Sequence, residues 1–170
     1  MESIYYHYIA APIGDFLVAG TDSALILTSF TSGHQQRKPS PDWKADPAPL
    51  GYALPSFYAY FDAEVVEFDI PLTTSGSEFQ CAVWDCLRRI PFGETRSYGQ
   101  IAEQMGKPGA SRAVGTANAA NHLPIVIPCH RVIGSDGSLT GFGGGLNTKK
   151  LLLELEGIQL PHKSAQLELI

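Results

Sequence analysis

Around residues 74–77 the 170-residue chain changes its repeat, and no other feature constrains the fold as strongly. Before that point, β-branched and aromatic residues come in short runs broken by turn formers. YYHYIA, DFLVAG and ALILTSF, within residues 5–30, read as strands of a meander, with Pro12-Ile13-Gly14 and Thr21-Asp22-Ser23 as turns. Residues 33–51, with Pro39, Pro41, Pro47 and Pro49, read as loop. Residues 54–63 suit a short amphipathic helix, and VVEFDIPL (65–72) alternates like a strand.

Beyond residue 77 the apolar spacing becomes helical. Ser77 and Gln80 form a capping-box pattern, and Phe79, Val83, Trp84 and Leu87 fall on one helical face. Pro91-Phe92-Gly93 stops that helix. Ser97 caps a second, with Gly106 at its end, and a third fits ASRAVGTANAA (110–120). Two short helices about a glycine-containing turn make a helix-turn-helix pattern. LPIVIP (123–128) is expected to be extended, and GSLTGFGGGL (137–146) to be a flexible glycine loop. A last helix over 148–156 ends with Gly157 at C′. The fold class is α+β: a strand-rich N-terminal unit, residues 1–75, then a mainly helical unit, 76–170.

No apolar run approaches the roughly 20 residues of a membrane span, and MESIYYHYIA lacks a signal-peptide pattern. The chain reads as soluble and cytoplasmic, with no membrane partner. Its three cysteines, Cys81, Cys86 and Cys129, are an odd set for a disulfide framework. Cys81 and Cys86 lack zinc-knuckle spacing and read as helix or core residues. The net charge is −5, but residues 88–131 hold six basic residues against Glu94 and Glu103. Local field governs phosphate binding, so this stretch permits a DNA partner without establishing one.

Pro128-Cys129-His130-Arg131 carries the chemistry. A thiol of ordinary pKa is only a few per cent ionised at neutral pH and needs a base nearby, which His130 offers. By themselves these residues read first as a core cysteine followed by a surface histidine; a cysteine hydrolase using Cys129–His130 is a further reading. The helix around Arg112 is nearly all small residues. It offers little to read base edges with and suits close, sequence-independent contact in a minor groove, or simple packing against another helix.

Ile127-Pro128-Cys129-His130-Arg131-Val132-Ile133 resembles the active-site signature of the O6-alkylguanine-DNA alkyltransferases. Phe79-Gln80-x-x-Val83-Trp84, Ile90-Pro91-Phe92-Gly93-Glu94, Ser97-Tyr98-x-Gln100-Ile101-Ala102, Ser111-Arg112-Ala113-Val114-Gly115 and Leu155-Glu156-Gly157 follow the family's order and spacing. The resemblance covers about residues 76–160 and is looser over 1–75, where it implies an RNase H-like α/β domain.

It implies irreversible, single-turnover transfer of an alkyl group from guanine O6 to Cys129. His130 would take the thiol proton, Glu156 would orient His130, and Asn121 would tie the recognition helix to the active-site turn. Tyr98 would crowd the target phosphate and serve guanine N3. Arg112 would replace the flipped base, with Ser111, Ala113 and Gly115 beside it on the DNA-facing helix. The carbonyls of Cys129 and Val132 would accept from the guanine amino group, the Gly143 N–H would face O6, and Pro124 and Phe142 would line the pocket. The implied partner is double-stranded DNA containing O6-alkylguanine, bound by a monomer, with no cofactor and no metal. The other reading is a protein that binds alkylated DNA without chemistry.

Glu156 has a physical reading of its own. A carboxylate at a helix C-terminus faces the negative end of the dipole, and a histidine N–H would compensate it. Two departures from the family stand out. Phe142-Gly143 lacks the hydroxyl of a Tyr-Ser pair, and Asn118 replaces an apolar residue.

Overall fold

A computed structural model describes residues 1–160. The N-terminal strands form as expected: β1 (Tyr5–Ala11), β2 (Gly14–Gly20) and β3 (Leu25–Phe30) make an antiparallel meander. A short β4 (Lys44–Ala45) joins parallel to β1, giving the order β3-β2-β1-β4. Helix α1 (Leu54–Phe61) lays Phe57 and Phe61 against the sheet's buried face, with ring centroids 5.7 Å and 5.5 Å from Phe16.

Residues 65–72 are not a strand. Val66, Phe68, Ile70 and Leu72 do turn inward while Val65, Glu67, Asp69 and Pro71 face out. Only Leu72 bridges to Leu25, through Leu25 N to Pro71 O and Thr73 N to Leu25 O. The alternation thus reports which side is buried, while Pro71 has no N–H to extend a ladder.

In the C-terminal part, α2 (Glu78–Arg88) and α3 (Tyr98–Gln104) each begin with a complete capping box, Ser77 with Gln80 and Ser97 with Gln100. Val83, Trp84, Cys86 and Leu87 are the buried face of α2, with Phe79 only half-buried. Gly106, at φ 71°, turns the chain toward α4 (Ser111–Ala119). A two-residue ladder pairs β5 (Arg96–Ser97) with β6 (Val132–Ile133). Helix α5 (Leu146–Leu155) ends in a Schellman motif: Ile158 N donates to Leu153 O and Gly157 N to Glu154 O.

The apolar run at 123–128 folds back on itself instead of extending. Ile127 N reaches Leu123 O, Pro124 bridges Ile127, and Ile125 sits at φ 77°. A β-branched residue there is strained, and the surroundings hold it. Thr28 Oγ1 donates to Pro124 O at 2.8 Å, Thr28 N donates to His122 O, and Asn121 Nδ2 donates to Ile127 O. One buried cluster runs from Ile9 and Phe16 through Leu87 and Ile127 to Leu152, so the strand-rich and helical parts share a core.

Replacing Thr28 by Val keeps its shape but leaves the Pro124 carbonyl unpaired. That variant is expected to lose about 1–3 kcal/mol in urea unfolding, and an unchanged midpoint would show that the bond does not hold the turn.

Candidate active site

Cys129, His130 and Arg131 form a single 3-10 turn at the end of the folded-back apolar run, and all three are buried. The turn meets the C-terminus of α5, where Glu156 is the cap residue. As the dipole argument requires, the carboxylate is compensated, and by more than histidine. Its Oε2 accepts from His130 Nε2 and from Tyr60 Oη at 2.7 Å. Its Oε1 accepts from Arg131 Nε at 2.8 Å and from the Gly93 N–H at 3.1 Å. These donors outweigh the cost of burial and hold the Glu156 carboxyl down at about 2.

A carboxylate only accepts, so the proton between Glu156 and His130 sits on Nε2. Burial pushes the imidazole below its ordinary value, which favours the neutral ring. Its Nδ1 then carries a free lone pair and has no partner among the described residues. Burial also raises the Cys129 thiol, while Asn121, Lys149 and backbone groups oppose that rise. Both shifts favour the neutral thiol and the neutral imidazole.

Asn121 follows α4. It joins the residues after α4 to the active-site run through Ile127 O and caps Leu123 N. Cys129 opens onto a cavity of about 40 Å³, lined by Asn118, Asn121, Pro124, Phe142 and Gly143 among others. That volume suits a few waters. Val132 does not line it. Its carbonyl accepts from Lys149 Nζ at 2.6 Å, and this buried lysine is pushed down to about 8. Tyr98 stands outside the cavity, its hydroxyl 2.6 Å from Thr140 Oγ1 and its ring against Gly115.

Arg112 projects from the first turn of α4, exposed, with no ion pair among the described residues; Ala113 is exposed beside it and Ser111 half-buried. Arg131, counted above with the basic stretch, is not a surface cation. It is consumed inside by Glu156 and by Ile90 O, at 2.7 Å. Arg96 is paired with Glu94 at 3.2 Å. The outward field of that stretch rests on Arg88, Arg89, Lys107 and Arg112.

Sequence reasoning missed the N-terminal contribution. Thr28, Ser29, Phe30, Gln35 and Arg37 line the cavity, and Tyr60 reaches Glu156 from α1. The glycine loop is tied down by this part: Ser32 Oγ donates to Gly144 O and Gln35 N donates to Gly143 O. Nothing in the local pattern signals these long-range partners. Lys149 did leave a trace, since a lysine stands where the spacing of Leu146, Leu152 and Leu153 on α5 calls for an apolar residue.

Residues 4–74 match the family described as 6-O-methylguanine DNA methyltransferase, ribonuclease-like domain, and residues 78–158 match its DNA binding domain. The chain belongs to this family. A methylated-DNA–protein-cysteine methyltransferase of Mycobacterium tuberculosis is 49% identical over 159 residues, covering 93% of this chain and 95% of the relative. One from Methanosarcina acetivorans is 44% identical over 154 residues, covering 91% and 99%. The crystal structure of Mycobacterium tuberculosis OGT in complex with DNA superposes with a TM-score of 0.82 at 49% identity, covering 90% of this chain and 93% of that one. The strand-rich part followed by a helical part is thus the family's own architecture.

A depressed carboxyl stabilises the folded state above its unfolded value, near 4.3, and that stability is lost as pH falls toward the folded value. Glu156, held at about 2, should therefore contribute to acid unfolding between those limits. The Glu156→Gln variant is expected to show a flatter loss of stability in that window and a transfer rate lower by about 10²-fold. Identical acid titrations would exclude the buried charge as described.

Proposed function

We propose that this protein repairs alkylated DNA by direct reversal, moving an alkyl group from guanine O6 to Cys129 in one irreversible step. The carrying observation is the buried Cys129–His130–Glu156 arrangement: His130, next to Cys129 in the chain, is held by Glu156 and keeps an Nδ1 with no partner among the described residues, and a cavity opens at Cys129.

The target base is inside a duplex and must be turned out to meet a buried thiol. The two helices α3 and α4 serve as the helix-turn-helix. The small residues of α4 let its backbone approach the minor groove, and the unpaired Arg112 fills the gap in the stack. His130 Nδ1 takes the thiol proton through a bridging water. The sulfur attacks the alkyl carbon in line, the S–C bond forms and the C–O bond breaks. The electron pair passes to guanine, which leaves as its anion, eased by a hydrogen bond from Tyr98 at N3, and takes a proton from water at N1; His130 afterwards releases the thiol proton to solvent. The imidazolium is stabilised by Glu156, which Tyr60 and Arg131 keep ionised. The thioether has no low-energy return, so each molecule acts once. Binding without chemistry is disfavoured because the nucleophile and its base are both in place. We place the protein in the cytoplasm, working as a monomer.

Incubation with duplex DNA containing O6-methylguanine should add one methyl group per protein by intact mass, and the Cys129→Ala variant should gain none. Gain in that variant would move the acceptor elsewhere. Arg112→Ala should slow repair of the duplex by about 10²-fold or more while leaving reaction with the free base much less affected, if Arg112 supplies the few kcal/mol of unstacking. Equal losses would refute its role in the stack.

A further inference from the structure

Among the described residues, two buried side-chain polar atoms lack a hydrogen-bond partner, Asn118 Oδ1 and His130 Nδ1. Both belong to the surroundings of Cys129. The histidine nitrogen is accounted for by the thiol proton. The asparagine oxygen is not used by any step described so far.

Asn118 sits on α4, 6% exposed, and lines the Cys129 cavity. Its Nδ2 donates to the Cys129 carbonyl at 3.4 Å. That bond fixes the amide's orientation, because only the nitrogen can face a carbonyl. The oxygen is left as an acceptor with no internal donor. A buried acceptor without a partner is costly, and native structures keep few of them. A donor supplied by the substrate would resolve it.

The chemistry of the base narrows that donor. A guanine alkylated at O6 has lost its N1 proton, and N9 is bonded to the sugar. The N–H donors left on the base are the two of the exocyclic 2-amino group; of the two carbonyls expected to take them, that of Val132 lies off the cavity and is held by Lys149, which leaves one for another acceptor. A thymine alkylated at O4 has no N–H donor at all. We infer that Asn118 Oδ1 accepts from the 2-amino group of the flipped base, making Asn118 a specificity residue that selects alkylated guanine over alkylated bases without that group. The assignment rests on the repair reading above. A pocket that dedicates a buried polar group to a substrate donor rejects an analogue lacking it far more strongly than bulk differences do.

The test compares two duplexes of one sequence, carrying either O6-methylguanine or O6-methylhypoxanthine, which differ only by the 2-amino group. Single-turnover methylation of Cys129 is followed by intact mass for the wild type, Asn118→Ala and Asn118→Leu. The wild type should favour the guanine duplex by about tenfold or more, and both variants should lose about tenfold of that ratio. Using a ratio cancels general damage, since a side chain that only steadied the Cys129 carbonyl would slow both substrates alike. A wild type without preference, or variants that keep it, overturns the assignment while leaving the repair reading intact. A wild type that methylates itself from neither duplex defeats the repair reading, and the assignment with it.

Discussion

The structure depends on keeping one buried carboxylate ionised. Glu156 closes α5, and its two oxygens collect donors from α1, from the turn after α2, and from two neighbours of the nucleophile. A charge left unpaired in such a place would cost several kcal/mol. The four segments must therefore converge for the fold to close, and their convergence also aims His130. Stability and reactivity draw on the same interaction. Tyr60 makes the N-terminal part a participant in it, so residues 1–75 do more than shelter the site.

The second N-terminal contribution concerns the glycine loop. A Cβ on Gly33 would lie 2.3 Å from the Gly143 carbonyl oxygen, and one on Gly144 would lie 2.6 Å from the Phe30 ring. The run at Gly143 to Gly145 thus reflects close approach of two backbones as well as conformational freedom. Phe30 also stacks between Phe16 and Phe142, with centroids 5.4 Å from each. Sheet, loop and cavity wall are in direct contact.

Much of this was legible in the chain itself, for local reasons. Capping boxes at Ser77 and Ser97, the stop at Gly157 and the strand runs before residue 30 are short-range codes, and the structure follows them. The nucleophile and its base lie side by side in sequence, and the helix-end position of Glu156 asked for a partner. The failures share a cause. Residues 65–72 and 123–128 have strand-like composition, but their hydrogen bonds are decided by Pro71, Thr28 and Asn121, which lie outside the runs or break them. Arg131 counted as surface charge because nothing nearby announces Glu156, and Tyr60 looked like any aromatic on an amphipathic helix. Long-range polar pairs leave little local trace.

The chemistry of the site turns on a protonation state, a neutral His130 with its proton on Nε2 and none on Nδ1. Nitrogen-15 NMR of histidine-labelled protein at neutral pH reads this directly. One buried imidazole with a protonated Nε2 and an unprotonated Nδ1 is expected, with loss of that signal in a His130→Gln variant. A doubly protonated ring, or a proton on Nδ1 instead, would contradict it.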